Sequence, residues 1–270
     1  MTGPTSEPPR APPPRDTARV WRRWVAANAW AELVGLGASG AVAVLVLRGS
    51  PDTSGAVIAG ALAVVLVAAV TEGGIVGWAQ HRVLRTARLE LPARRWIIAT
   101  VVGALVAWSL GMTPATIIEL VGVAEDATGG SNVEPGLALQ LGLAMILGLV
   151  TGPILGAPQA WVLRGHVERA WRWIPANAAA WAAGMPLVFL VAGGLPPSWP
   201  VTAYLGVAAA TLLLVGAVVG AIHGWVLVRL LAERPSTNGV PLADDEEDAV
   251  RSPAQGWVDG TGTGNTTGRG

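Results

Sequence analysis

Three ionisable side chains, Glu32, Glu72 and His223, lie inside long apolar segments of the chain. Charged groups are costly inside a bilayer, so such residues are candidates for proton or ion chemistry. The pattern is compatible with two hypotheses. In the first, Glu32 and Glu72 line a polar cavity and His223 is a proton-sensitive partner nearby. In the second, each glutamate is protonated and hydrogen-bonded at a helix interface, and His223 is a neutral hydrogen-bond donor.

Composition and motif content exclude several classes of enzyme. The 270 residues include no Cys and no Lys, which excludes disulfides, thiolate catalysis and lysine Schiff bases. The sequence has no HExxH motif, no P-loop and no GxSxG nucleophile elbow. We therefore predict that the chain is not an enzyme and has no catalytic residues, cofactor or metal ion. An intramembrane enzyme that uses Glu72 or Glu32 remains an alternative, although no nucleophile or metal set accompanies them.

A motif that includes His223 occurs three times. Each copy follows the spacing Gly-xxx-Gly-xx-Gln-xx-Val-Leu, with His replacing Gln in the third copy. The glycine and polar positions are Gly73, Gly77 and Gln80; Gly152, Gly156 and Gln159; and Gly216, Gly220 and His223. At 100° per residue these positions share one helix face. We expect the glycines to let a neighbouring backbone approach closely, so that the polar side chain can hydrogen-bond across the interface.

A second pattern, Trp-xxx-Asn or Trp-xxx-Thr, occurs before each of these motifs. Its polar positions are Asn28, Thr100 and Asn177. They lie at similar depth to the Gln and His positions, which predicts a belt of helix-packing polar residues one to two turns inside the cytoplasmic face. Tryptophans concentrate at the same level and predict an aromatic belt at the membrane interface. They are Trp21, Trp24, Trp78, Trp96, Trp161, Trp171, Trp173 and Trp225.

The order Q-x-x-V-L-R, arginine-rich turn, W-x-x-A-N resembles repeated helix pairs in a group of uncharacterised bacterial multi-span membrane proteins. Here it runs from residues 80–85 into Trp96 and from 159–164 into Trp173, and the resemblance covers roughly residues 21–231. The third copy departs from the pattern at His223 and Val228. The resemblance implies a membrane protein with no established activity.

Six apolar stretches carry these residues. A bilayer core requires about 20 apolar residues per helix, and the qualifying ranges are 24–47, 55–84, 95–112, 137–164, 171–193 and 201–229. Two spans per repeat keep the repeats in the same orientation. We predict an all-α integral membrane six-helix bundle built from three parallel two-helix repeats with pseudo-three-fold symmetry. Pro153 and Pro158 are candidates to break the fourth span, and Pro175 and Pro186 the fifth; such breaks would favour transport.

Arginine placement predicts the orientation. Seventeen of the 18 arginines fall in the N-terminal segment, in the second-to-third and fourth-to-fifth turns, or at and beyond the end of the last span, with Arg48 the exception. The positive-inside rule then places both termini in the cytoplasm of a bacterium, with the chain in its inner (plasma) membrane. We expect the arginine turns to contact anionic lipid headgroups. No feature indicates nucleic-acid binding, and the protein partners are unknown.

Residues outside the spans form tails and connections. Residues 1–20 hold six of the 20 prolines, and residues 232–270 are acidic and Gly-rich, so both are predicted to be disordered cytoplasmic tails around a membrane domain at 21–231. Thr113-Pro114 predicts an N-cap that begins a separate short helix at 115–123. His81 and His166, in or beside the arginine turns, are predicted to be surface residues.

The sequence therefore favours a non-catalytic integral membrane protein that is structural or binds partners or lipid. The alternative is a small transporter or channel with a polar cavity near Glu32 and Glu72.

Overall fold

The computed structural model describes residues 16–49, 54–126, 136–194 and 198–233. Most of the two predicted tails therefore lies outside the described residues. The N-terminal tail was predicted too long, because the first helix begins at Thr17. Asp16 accounts for this start, since its Oδ1 accepts a hydrogen bond from the Arg19 backbone N–H at 2.9 Å and so caps the helix.

Six long helices make up most of the described chain, and each is long and apolar enough to cross a membrane. They are α1 (Thr17–Gly49), α2 (Ser54–Thr86), α3 (Ala93–Asp126), α4 (Leu137–Leu163), α5 (Trp173–Gly194) and α6 (Val201–Ala232). A short 3-10 turn, Ala170–Arg172, precedes α5. The prediction of an all-helical chain with six apolar helices is thus confirmed.

The six helices pack in a closed ring that follows chain order. Each helix packs against its neighbours in sequence, and α6 returns to contact α1. The best-buried part of the interior holds three indoles and three leucines with no exposed surface. They are Trp24, Trp96, Trp173, Leu84, Leu163 and Leu227. The leucines are the last position of each copy of the repeated motif, so the motif ends in the core.

Two predicted helix boundaries were wrong. Helix α3 continues without interruption through Thr113 to Asp126, so residues 115–123 are not a separate helix. Thr113 does not cap a new helix, because its hydroxyl donates to the Ser109 carbonyl one turn earlier at 2.7 Å. The proposed breaks in the fourth and fifth spans are also not observed: Pro153 and Pro158 lie within continuous α4, and Pro175, in the first turn, and Pro186 lie within continuous α5.

The motif glycines lie where a neighbouring helix comes closest. A Cβ atom added at the second glycine of each motif would approach the Asn or Thr of the neighbouring odd-numbered helix. These distances are 3.1 Å from Gly77 to Thr100 Cβ, 3.0 Å from Gly156 to Asn177 Cβ and 2.9 Å from Gly220 to Asn28 Cβ. The first glycines, Gly73, Gly152 and Gly216, are crowded by backbone of the same three helices. Helix α2 therefore lies closely against α3, α4 against α5, and α6 against α1.

Substitution of Gly152 tests whether this close approach stabilises the ring. A Cβ there would meet the Asn177 carbonyl and would lie 2.8 Å from Ala178 Cα, and backbone cannot move aside cheaply. We expect Gly152→Ala to destabilise the protein by about 1–3 kcal/mol, seen as a lower thermal unfolding midpoint in detergent.

Gly142→Ala is the matched control on the same helix, because a Cβ at Gly142 meets nothing within 4 Å. It should be neutral or stabilising by up to about 1 kcal/mol, since alanine is the better helix former. Equal effects at the two positions would show that the contact is unimportant.

Candidate functional site

A network of hydrogen bonds joins several helices inside the ring. Gln159 on α4 is its centre: its Nε2 donates to Gln80 Oε1 at 3.2 Å and to Thr100 Oγ1 at 2.9 Å. Its Oε1 accepts from Trp173 Nε1 at 2.9 Å. Gln80 Nε2 in turn donates to Asn28 Oδ1 at 2.9 Å. These five side chains are buried, and the network supplies the partners that buried polar groups require.

The imidazole of His223 occupies the place that glutamine holds in the other copies. Trp24 Nε1 donates to His223 Nδ1 at 2.8 Å. An indole N–H can only donate, so Nδ1 is the acceptor and the imidazole is neutral with its proton on Nε2. Asn28 Nδ2 donates to the Trp24 carbonyl, and Asn177 Nδ2 donates to the Trp173 carbonyl, both at 2.8 Å. Each asparagine is thus held by its own helix one turn back.

Trp96 differs from the two equivalent tryptophans. Its carbonyl accepts a hydrogen bond from the Thr100 hydroxyl at 2.9 Å, which matches the asparagine pattern. Its indole Nε1, however, is buried without a hydrogen-bond partner among the described residues, whereas those of Trp24 and Trp173 are paired. The middle copy of the repeat therefore lacks one bond of the network.

The three tryptophans of the W-xxx-N pattern were predicted to join an interfacial belt, and that prediction was wrong. Trp24 and Trp173 contact edge to face with ring centroids 5.9 Å apart, and Trp96 lies 6.4 Å from Trp173. We call these three side chains the indole cluster. Their fixed spacing of four residues before Asn or Thr was visible in the sequence, and it marks a buried position, not an interfacial one. The exposed tryptophans at this level are Trp78, Trp161, Trp171 and Trp225.

A small cavity adjoins the network inside the ring, and its described lining does not include the indole cluster. Its volume is about 30 Å³, and a cavity needs about 10–15 Å³ to hold one water. Glu32, Glu72 and His223 all line it, together with Gln80 and Gln159 of the network. The structure therefore brings the three ionisable residues of the apolar segments, from three different helices, to the wall of one cavity. The other belt residues along this wall are Asn28, Thr100 and Asn177.

The two glutamates have different partners. Glu72 Oε2 accepts a hydrogen bond from Trp108 Nε1 at 2.7 Å. Glu32 is 1% exposed, and its Oε2 has no hydrogen-bond partner among the described residues. Helices α1 and α2 approach closely here, because a Cβ at Gly35 would lie 2.9 Å from Glu72 Cα. Sequence reasoning missed Trp108 and Gly35, which belong to no repeated pattern.

The two histidines of the inner turns also have defined contacts. His81 was predicted to be a surface residue, but it is buried, and its Nε2 lies 3.1 Å from the Leu91 carbonyl. His166 is half-buried, and its Nε2 lies 3.1 Å from the Glu90 carbonyl. His166 therefore joins the α4–α5 turn to the α2–α3 turn. In the described part of the chain, no group of three or more His, Asp or Glu side chains is placed to hold a metal ion.

Comparison with protein-family models, curated proteins and solved structures finds no match to this chain. The resemblance to bacterial multi-span proteins with repeated helix pairs therefore stays a prediction from the motifs alone.

Replacing each central tryptophan with phenylalanine tests the network. All three lose ring volume, but only Trp24→Phe and Trp173→Phe also remove a hydrogen bond and leave His223 Nδ1 or Gln159 Oε1 without its donor. We expect these two variants to lose about 1–3 kcal/mol more than Trp96→Phe, whose indole N–H is unpaired. Thermal unfolding midpoints in one detergent would measure the difference, and a Trp96→Phe variant at least as unstable as the others would contradict it.

Proposed function

We propose that the chain is a non-catalytic, multi-pass integral membrane protein of the bacterial inner (plasma) membrane. Large apolar side chains on the helices support this placement. On α2, Leu62, Leu66 and Val70 are 58%, 56% and 62% exposed, and on α4 Leu143 and Ile146 are 53% and 58% exposed. An apolar surface that covers successive turns of several helices is unfavourable in water and is satisfied by lipid tails.

The proposed orientation places the arginine-rich turns and both termini in the cytoplasm. Three arginines at this end stack on exposed tryptophans of even-numbered helices. Arg82 lies 4.9 Å from the Trp78 ring, Arg164 lies 4.7 Å from the Trp161 ring, and Arg229 lies 3.4 Å from the Trp225 ring. An indole beside a guanidinium suits the headgroup region, where apolar and anionic groups meet. Anionic lipid headgroups are therefore the partner that these three arginine–tryptophan pairs fit best.

We also infer that the ring consists of three parallel two-helix repeats around a pseudo-three-fold axis. The support is the recurrence of one contact at equivalent positions: the second motif glycine of α2, α4 and α6 lies against the Asn or Thr of the next odd-numbered helix. The final leucine of each motif is likewise fully buried. Two features depart from this symmetry. Histidine occupies position 223, where the other copies have glutamine, and the Trp96 indole N–H has no partner among the described residues.

The non-catalytic proposal rests on one observation, namely the way the central polar groups are used. Gln159, Gln80 and Asn28 hydrogen-bond to one another across three helices, and Asn28 also donates to the Trp24 carbonyl of its own helix. Groups paired in this way hold helices together and are not poised to attack a substrate. A structural or partner-binding or lipid-binding role follows.

A small transporter or channel is the second candidate, and the cavity favours it. Glu32 and Glu72 line this cavity, and Glu32 Oε2 has no hydrogen-bond partner in the part of the chain that the structure describes. A carboxyl group without a partner has no packing role of the kind that Gln159 fulfils. Continuous α4 and α5 remove the other argument for transport, which was helix breaks at the prolines.

The topology can be tested with single cysteines, because the natural chain has none. Ser198→Cys and Gly136→Cys lie at exposed positions before α6 and α4, and Glu90→Cys and Glu168→Cys lie at exposed positions in the arginine turns. We expect a membrane-impermeant maleimide applied to intact cells with a permeabilised outer membrane to label the first pair only. The second pair should react after the inner membrane is opened.

If only the arginine-turn positions are labelled in intact cells, the orientation in the membrane is the reverse of the one proposed. Equal labelling of all four would contradict a membrane-spanning bundle.

A further inference from the structure

We propose that the cavity is a binding site for one small, hard metal cation, Na⁺ or Ca²⁺, held by Glu32 and Glu72. This inference rests on the second candidate function and specifies its ligand. Both carboxyl groups belong to adjacent helices, α1 and α2, that approach closely beside the cavity at Gly35. The site is therefore built into the wall of the ring and does not depend on a surface loop.

The charges that line the cavity are unbalanced. Glu32 and Glu72 are the acidic residues of the lining, and none of the described lining residues is arginine. The chain contains no lysine at all. The remaining basic side chain, His223, is neutral because its Nδ1 accepts a hydrogen bond from the Trp24 indole N–H. A buried carboxyl group must be neutralised by a proton or by a counter-charge, and the described lining supplies no counter-charge.

Glu32 has a free coordinating atom. Its Oε2 is fully buried and has no hydrogen-bond partner among the described residues, which is a costly arrangement unless a ligand satisfies it. Glu72 is already oriented, because Trp108 Nε1 donates to its Oε2 at 2.7 Å. An outer partner that fixes a ligating carboxylate is typical of metal sites. The carboxyl group of Glu72 is thus already oriented, and Oε2 of Glu32 is available to bind a cation.

The donor atoms favour a hard cation. Beyond the two carboxyl groups, the lining offers amide oxygens from Asn28, Gln80 and Gln159, each of which keeps one lone pair after its hydrogen bond in the network. No sulfur is present in the lining, and the protonated Nε2 of His223 is not a ligand. Oxygen-only sets bind hard ions such as Ca²⁺. With both carboxyl groups ionised the site matches Ca²⁺, and with one protonated it matches Na⁺.

The size of the cavity limits the ligand. A volume of about 30 Å³ has room for one ion with a single water and excludes an organic substrate, which needs about 300 Å³ or more. The lining residues come from all six helices, so a bound ion would lie among side chains of the whole ring.

Equilibrium binding of radioactive sodium or calcium to the purified full-length protein in detergent tests the proposal directly. Chloride salts of Na⁺ and Ca²⁺ are compared with choline chloride at constant ionic strength and pH. We expect saturable binding of one ion per chain for one of the two metals, and a higher thermal unfolding midpoint with that metal than with choline.

Glu32→Gln and Glu72→Gln preserve side-chain size and should each weaken binding by more than about tenfold, since loss of a partner that only orients a ligand already costs about that much. Glu90→Gln and Glu168→Gln, at exposed positions in the arginine turns, are the matched controls and should bind like the natural protein.

Absence of saturable binding of either metal would overturn the proposal. Binding that survives both cavity substitutions, or falls equally in the controls, would also overturn it. If the thermal unfolding midpoint changes with pH but is the same in sodium, calcium and choline, protons alone neutralise the glutamates and the proposal is wrong. If the glutamine variants do not fold, the titration of the natural protein decides the matter. None of these results alters the maleimide labelling, so failure here is distinguishable from failure of the membrane assignment.

Discussion

A buried amide must find its hydrogen-bond partner inside the protein, and the central part of this ring is arranged around that requirement. Gln159 meets it through Gln80, Thr100 and Trp173, which come from three other helices. Amide side chains are short, so these helices must lie close together. The motif glycines allow this, because nothing larger than hydrogen fits between Gly156 and Asn177 without displacement. Close packing and polar pairing therefore depend on each other.

The same arrangement explains why the third copy of the motif tolerates histidine. Gln159 Oε1 accepts from the Trp173 indole, and His223 Nδ1 accepts from the Trp24 indole in the same way. A neutral imidazole thus replaces the amide oxygen as an acceptor. In the middle copy, Gln80 Oε1 accepts a hydrogen bond from Gln159 Nε2 instead, and the Trp96 indole N–H has no partner among the described residues. Repeated sequence does not guarantee repeated bonding when neighbouring side chains compete for one acceptor.

Glu32 and Glu72 do not belong to this network of hydrogen-bonded amides and indoles. They line the cavity beside the network, where the described lining holds no arginine and its histidine, His223, is neutral. The packing role that accounts for the amides does not account for Glu32 Oε2, which has no hydrogen-bond partner within the described helices and turns. The two functional proposals therefore give the polar groups different main roles: the amides hold the ring together, and the two carboxyl groups are the charged ligands of the proposed ion.

Much of the architecture could be predicted from local pattern. Six helices followed from the length and apolarity of six stretches, and a polar belt facing other helices followed from the 100° spacing around Gln80, Gln159 and His223. Predictions from short-range signals were less successful. Pro153, Pro158 and Thr113 resemble break or cap residues locally, yet α4 and α3 continue through them. A proline removes one backbone hydrogen bond, but a long apolar helix continues past it because the neighbouring helices hold it in place.

The sequence by itself determined the helices, the shared face of each motif and the burial of three ionisable residues in apolar segments, because periodicity and hydropathy are properties of neighbouring positions. Only the tertiary structure decided that Trp24, Trp96 and Trp173 meet in the core, that Trp108 pairs with Glu72, and that Glu32, Glu72 and His223 share one cavity. Those outcomes depend on how six helices close into a ring. Residues far apart in the chain then become neighbours, and no spacing within a single helix encodes their distance.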